Sequence, residues 1–455
     1  MGKETKVAII GLDCATPQLV FDRYRDELPN ISRLMAEGRW GPLESTHPPI
    51  TVPAWACMLS GYDPGQLGLY GFRNRKDHSY DGYAIASSQS LRQDRVWDIL
   101  SKTGRKVILL GVPLTYPVRP INGCVVADFL TPSTQSEYTH PRSLKDEVER
   151  VAGGYVLDVE DFRTDDKSAL LERIYDKTRK HFAVAKHLLT TKEWDFFMMV
   201  EMGVDRIHHG FWSFMDPTHR AYQKGNPFEN AIRDYYRHID REVGEILDLL
   251  PPETAVLVVS DHGAKRLDGG ICFNEWLIQH GYLTVKDYPD APTPVDKVQI
   301  DWAMTKAWGD GGYYGRLFLN VRGREPQGLV DPGDYESLRT ELIEKIAAIR
   351  DPLGNPLGSR AYRPQELYRE VHGVAPDLIV YFGDLFWRSV GSIGSRSLYT
   401  FDNDTGPDGA NHDWHGIFIL NQHGCREGNL APGPTQGLTV YDIAPMLLRF
   451  FDGDS

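Results

Sequence analysis

The stretch that most constrains the fold is AVLVVSDHGA, residues 255–264. Five apolar residues, Ala255 to Val259, form a short valine-rich run, the pattern of a strand buried on both faces of a parallel sheet. The run stops at Ser260. Asp261 and His262 follow side by side, and Gly263 frees the backbone to turn. In open α/β sheets ligands collect beyond the carboxyl ends of the strands. A metal-type pair at that place is poorly explained by packing. The competing reading, an Asp–His pair in a polar turn, has to be weighed against the rest of the chain.

Similar signals recur. KVAIIGL, residues 6–12, reads as a first buried strand ending at Asp13, and 18–37 as a helix stopped by Gly38. KVILLG, 106–111, is a second apolar strand. The periodicity of 168–189, with Leu170, Leu171, Ile174, Phe182, Ala185 and Leu189 on one face, predicts a long amphipathic helix. Residues 194–202 read as a strand, and 230–250 as the helix that feeds the 255–259 strand. Strands alternating with helices imply a parallel sheet covered on both sides, so the expected fold is α/β. The stretch 265–375 is rich in Gly, Pro and Tyr, with one firm helix near 335–350, and reads as an inserted cap. Strand patterns return at 377–382 and 416–420, and a helix closes the chain at 439–450. The expected organisation is a core in two parts, 1–264 and 376–455, around a cap at 265–375.

Composition narrows the function. A formal net charge of -13 with no basic stripe argues against a nucleic-acid polymer as partner. The same charge requires concentrated local positive charge if the substrate is a phosphate, and bound metal ions would supply it. Cys14, Cys57, Cys124, Cys272 and Cys425 are odd in number and scattered, without paired spacing, which fits a reducing compartment. The first apolar stretch is too short for a signal segment, and no run approaches the roughly 20 apolar residues that cross a bilayer. A cytoplasmic protein without a membrane partner is expected; nothing in the sequence sets an oligomeric state.

Four strand ends carry metal-type residues: Asp13; Asp205 with His209; Asp261 with His262; and His412, bracketed by Gly409 and Gly416. Residues four apart on a helical turn share a face, so Asp205 and His209 can grip one ion. Three carboxylates and three imidazoles suffice for two mixed N/O sites of the kind zinc accepts. Thr51, in PPITVPAWACMLSG, is the nucleophile candidate. Threonine is a good N-cap and Pro53 suits a first turn, which would set the hydroxyl where backbone N–H groups and the helix dipole favour an anion. A Thr that merely caps a helix is the plainer alternative.

The order Asp13, Thr51 in TVPAWACMLSG, Asp205-x-x-x-His209, Asp261-His262-Gly263 and His412 resembles the alkaline phosphatase superfamily, and most of all its type I phosphodiesterase/nucleotide pyrophosphatase branch. LPNISRLMAEG (28–38) and YDIAPMLL (441–448) extend the likeness over nearly all of the chain except the cap. The resemblance implies an α/β/α sandwich with a mostly parallel central sheet and a hydrolase with two divalent ions, zinc by preference, manganese or iron as alternatives. It implies one ion on Asp13, Thr51, Asp261 and His262, and another on Asp205, His209 and His412, about 4 Å apart. Thr51 would take the phosphoryl group, and water would then release it.

Sulfatases of similar fold carry a modifiable Cys or Ser in a C/S-x-P-x-R motif; here the positions read Thr51-Val52-Pro53-Ala54-Trp55. Phosphomonoesterases of the superfamily use an Arg beside the nucleophile, and none lies between Thr51 and Tyr70, which favours a small diester, or a phosphate with one capped oxygen, as substrate. A phosphomonoesterase, a phosphomutase and a non-catalytic binding protein are the alternatives. Nucleotide pyrophosphatases usually place a phosphoryl-binding Asn about twenty residues after the Thr; that position here is Phe72, with Arg73 and Asn74 next. These three are the expected substrate-side residues. His208 should point away from the His209 face, His412 is favoured over His415, His47 reads as a loop histidine, and Cys14 as buried beside the site. Trp55, Tyr70, Phe72, Trp212, Trp308, Tyr313 and Tyr314 read mainly as packing, with a ring-binding pocket as the alternative.

Overall fold

The computed structural model describes residues 5–422 and 431–452; Cys425 lies outside them. Its centre is the strand Val7–Leu12, paired in parallel with Phe196–Glu201 on one side and Ala255–Val259 on the other. All three strands are buried throughout, as their apolar runs require. The ten-stranded sheet continues in parallel through Val107–Leu110 and Gly123–Val126 to an antiparallel edge at Thr139–His140. On the other flank His415–Asn421 runs antiparallel to Ala255–Val259 and to Arg39–Glu44. The sheet is mostly parallel at its centre, as expected.

Alternation along Val7–Leu12 divides the core. Ala8, Ile10 and Leu12 pack against the helices Pro29–Glu37, Lys167–Thr191, Gly203–Met215 and Ala231–Leu249, while Val7 and Ile9 face Thr51–Ser60, Val96–Lys102 and Ile443–Arg449. Each fully buried Val, Leu, Ile or Phe here contributes roughly 1.5–3 kcal/mol. Gly11 has a specific task. A Cβ there would lie 2.7 Å from Trp55, so its absence lets the indole pack against the strand just ahead of Asp13.

The sequence expectations differ from the structure in three places. The single helix at 18–37 is broken into Gln18–Arg23, Arg25–Glu27 and Pro29–Glu37; the last break falls at Pro29, which cannot continue a helix but starts one well. Arg39–Glu44, polar and containing Pro42, gave no strand signal, yet it is an interior strand. The apolar run Leu378–Tyr381, expected in the second part of the core, pairs with Gly315–Leu319 and Arg360–Tyr362 in a separate four-stranded sheet completed by Ala307–Asp310. Burial on both faces makes a strand apolar whichever sheet it joins. The smaller sheet therefore reaches beyond residue 375, and it has its own core, in which Leu317, Leu319, Leu378 and Val380 meet Leu342 and Ile346 of the helix Tyr335–Ala347. Among the described residues no helix is long and apolar enough to cross a membrane.

Candidate active site

The strand ends converge at the rim of the large sheet. Asp13 follows Val7–Leu12 directly, and Asp261 and His262 follow Ala255–Val259 through Ser260. Asp205 and His209 lie one turn apart in Gly203–Met215, with Asp205 Oδ1 3.2 Å from His209 Nε2. His412 arrives on Ala410–Asp413, a short strand antiparallel to Gly263–Arg266, which delivers it beside His262. Thr51 is the first residue of Thr51–Ser60. Ile50, in extended conformation, is the cap, so Thr51 sits one position further into the helix than an N-cap would. Pro53 falls in the first turn, where its missing N–H costs no hydrogen bond.

These side chains form one buried cluster. His262 Nε2 lies 3.2 Å from Thr51 Oγ1, 3.2 Å from Asp261 Oδ2 and 3.8 Å from Asp13 Oδ1. His412 Nε2 lies 3.8 Å from Asp205 Oδ1. Two groupings bring their donor atoms within 4.8 Å of one another: Asp13 with Asp261 and His262, and Asp205 with His262 and His412. His262 thus stands between the two, and His209 joins through Asp205. Asp13 Oδ1, Asp205 Oδ1, Asp261 Oδ2 and His209 Nε2 are buried without a well-aligned hydrogen bond.

The outer atoms of these groups are all occupied. His209 Nδ1 meets Asp408 Oδ1 at 2.8 Å, His412 Nδ1 meets the Pro49 carbonyl at 2.8 Å, and His262 Nδ1 meets the Gly263 carbonyl at 3.1 Å. Anchoring each ring through Nδ1 leaves Nε2 turned inward, the arrangement that orients metal-binding imidazoles. Trp55 Nε1 donates to Asp13 Oδ2 at 2.7 Å, and the Cys14 N–H donates to Asp261 Oδ1 at 3.2 Å. Arg206 donates to Asp205 Oδ2 and to Asp158, while Arg163 Nε meets Asp408 Oδ2 at 3.1 Å and another of its nitrogens donates to the Tyr313 hydroxyl. Tyr313 stacks on His412 with ring centroids 4.1 Å apart, and His412 on His262 at 3.8 Å.

Burial governs the ionisation. It pushes the Asp13 and Asp261 carboxyls well above the ordinary range, with repulsion from Asp205 on the first and from Asp13 on the second adding to it. Asp205 goes the other way, because attraction to His209 and Arg206 outweighs its burial. Burial lowers His262 to about 4 and holds His412 well below the ordinary imidazole range. It acts against protonation of His209 too, but the Asp408 and Asp205 carboxylates prevail and raise it to about 9. Burying three inward-facing carboxyl groups together makes their ionisation costly, and a cation among them would relieve that cost.

The structure brings together all seven residues singled out as metal ligands, Thr51 included. The three substrate-side candidates are engaged elsewhere. Asn74 Oδ1 accepts from the Tyr70 N–H and its Nδ2 donates to the Gly71 carbonyl, so its amide closes its own turn. Arg73 lies over Tyr83, and Phe72 packs edge-on against Phe129. His208 turns away and bonds the Tyr236 hydroxyl, and Cys14 is buried beside Asp261 with positive φ. His415 is exposed. Asp408, Arg163, Arg206 and the stacking role of Tyr313 escaped the sequence reading. Only the adjacency of Arg206 to Asp205 and the four-residue step from Thr51 to Trp55 left a local trace.

The sequence model of the type I phosphodiesterase / nucleotide pyrophosphatase family matches residues 7–414. The chain belongs to that family. As a type I phosphodiesterase-family protein it falls among the phosphoester hydrolases of the alkaline phosphatase superfamily. Its fold is shared with phosphonoacetate hydrolase from Sinorhizobium meliloti 1021 in complex with phosphonoformate, at TM-score 0.63 and 17% identity over 98% of this chain and 95% of that one. Human ectonucleotide pyrophosphatase / phosphodiesterase 5 gives TM-score 0.54 at 11% identity, over 98% and 95%. An inactive threonine-to-alanine variant of the murine protein in complex with AMP gives 0.53 at 12%, over 99% and 95%. None of the curated proteins is a significant match in sequence.

Proposed function

We propose that this type I phosphodiesterase-family protein is a two-metal hydrolase of small phosphate diesters with Thr51 as nucleophile. The observation that carries the reading is the set of buried, inward-facing carboxylate and imidazole atoms left without hydrogen bonds around the Thr51 hydroxyl. One ion would be held by Asp13, Thr51, Asp261 and His262, the other by Asp205, His209 and His412. Divalent ions there, zinc by preference for mixed imidazole–carboxylate donors, would neutralise the carboxylates and polarise the phosphoryl group.

Thr51 Oγ1 attacks phosphorus, the new O–P bond forming as the ester O–P bond opposite breaks. The alkoxide that leaves takes up a proton, and water then cleaves the phosphothreonine to regenerate the hydroxyl. The start of Thr51–Ser60 favours the anionic phosphoryl group through its dipole. Trp55 holds Asp13, Asp408 holds His209 and Pro49 holds His412, fixing the donors around the reacting atoms. Arg163 and Arg206, which pair with residues of the cluster and its anchors, are committed to Asp408 and to Asp205 with Asp158. Neither is free for the second negative charge of a monoester, which supports the diester. The inactive threonine-to-alanine variant of the murine structural relative is in keeping with the role given to Thr51.

Initial rates on bis-p-nitrophenyl phosphate and p-nitrophenyl phosphate test the reading. The diester should be preferred, and Thr51→Ala should abolish its turnover while the protein keeps its metal. Turnover that survives in Thr51→Ala would remove the nucleophile, and preference for the monoester would replace the substrate class.

A further inference from the structure

A cavity of about 390 Å³ lies behind the site, between the helix Gly203–Met215, the strand Gly269–Cys272 and residues 400–409. Its wall contains Arg388, which is 4% exposed. One guanidinium nitrogen is 3.5 Å from Thr405 Oγ1 and another 3.7 Å from Asp404, but the buried Nε has no partner. Asn403 lines the same space, and its buried Nδ2 is also without a partner. Lys167, the third donor, enters half-buried from the start of Lys167–Thr191, and burial lowers its pKa. Of the acids on the wall, Asp165 and Asp402 are exposed at the rim, and Asp408 is already engaged by His209 and Arg163. The unpartnered side-chain atoms among these residues are thus donors, a guanidinium N–H and an amide NH₂, and the Lys167 ammonium, 5.9 Å from the centre of the Phe211 ring, adds positive charge beside them. Leaving buried donors unmade is costly, and an acceptor carrying negative charge satisfies them best.

We propose that this cavity binds the carboxylate or phosphoryl group of a small anion, seated on Arg388, Lys167 and Asn403. Its occupant would bear on the catalytic cluster from behind. Asp408 lines the cavity and holds His209, and the Arg388 guanidinium lies 5.6 Å from the centre of the Tyr313 ring that stacks on His412. The anionic group has two possible sources, a free ion or the distal acid of a substrate. Only the second rests on the proposed diesterase activity.

Calorimetric titration of inorganic sulfate into the metal-loaded protein tests the site without turnover. Wild type should bind sulfate, and Lys167→Met and Arg388→Lys should each weaken it at least about ten-fold, the worth of one charge-assisted hydrogen bond. If Arg388→Lys fails to fold, Lys167→Met, at a half-exposed helix start, still decides. Folded variants that bind sulfate like wild type, or a wild type that binds none, would overturn the proposal. Kinetics then assign the source. Sulfate that alters bis-p-nitrophenyl phosphate turnover without competing with it marks a free-anion site. Sulfate that competes only with a diester bearing an added carboxylate marks a substrate subsite. Equal competition with both diesters would place sulfate in the catalytic cluster and count against the cavity.

Discussion

Replacing Asp261 with asparagine should strengthen the metal-free protein and weaken the metal-loaded one. Asp13 and Asp261 are fully buried, and their donor oxygens lie within 4.8 Å. Two negative charges at that spacing repel by about 3.5 kcal/mol at an effective dielectric of about 20. Both carboxyls are held well above their ordinary range by burial and by neighbouring carboxylates. An acid raised in the folded state adds stability below its unfolded pKa of about 4, and that stability is lost as pH climbs through the folded value. Metal-free wild type should therefore weaken progressively as pH rises above about 4. Asp261→Asn keeps an Oδ1 to accept from the Cys14 N–H but drops the charge, so its profile should be flatter. The two should be nearly equal below about pH 4, with the variant increasingly ahead as pH rises, by up to about 3 kcal/mol. Zinc should reverse the order, since a ligand at roughly a thousand times its Kd adds about 4 kcal/mol to whichever protein still binds it. Urea unfolding followed by tryptophan fluorescence, in chelator and in saturating zinc across that pH range, reads all of this. A variant weaker than wild type in chelator at the alkaline end would refute the argument, because Asp261 would then be a structural acceptor and not a charge awaiting a cation.

Three further outcomes follow from the same contacts. Asp408→Asn should weaken zinc binding about 10- to 100-fold, measured by competition with a chromophoric chelator, because His209 loses its anionic anchor. Trp55→Phe removes a hydrogen bond to the buried Asp13 carboxylate and should lower the unfolding free energy by about 2 kcal/mol in urea titrations. Gly263→Ala would place a Cβ 2.2 Å from the His415 carbonyl oxygen; it should cost about 2 kcal/mol in thermal or urea unfolding and disturb the turn that carries His262.

What the sequence revealed and what it hid divide along physical lines. Strands such as Val7–Leu12 and Ala255–Val259 are buried on both faces, so their apolar runs and the polar residues at their ends stand out without any knowledge of partners. Asp205 and His209 were readable for the same reason: helical geometry fixes their neighbourhood locally. Asp408 was not, because its partner His209 lies on a different element and nothing in GPDGANH marks a loop aspartate as the anchor of a histidine. Arg163 and Tyr313 likewise acquire meaning only through contacts with Asp408 and His412. Asn74 shows the opposite failure, since counting from Thr51 pointed near it while its amide closes its own turn. Leu378–Tyr381 looked like a core strand because an apolar pattern reports burial and not which sheet provides it.

The inward-facing donors are spread from residue 13 to residue 412 along the chain. During translation Asp13 must wait for Asp261 and His262 to leave the ribosome before its own donor set is complete, and Asp205 must wait for His412. Capture of a cation therefore cannot guide the early steps of folding in this protein. It can only come afterwards, as the event that relieves a strain the finished scaffold has already built in.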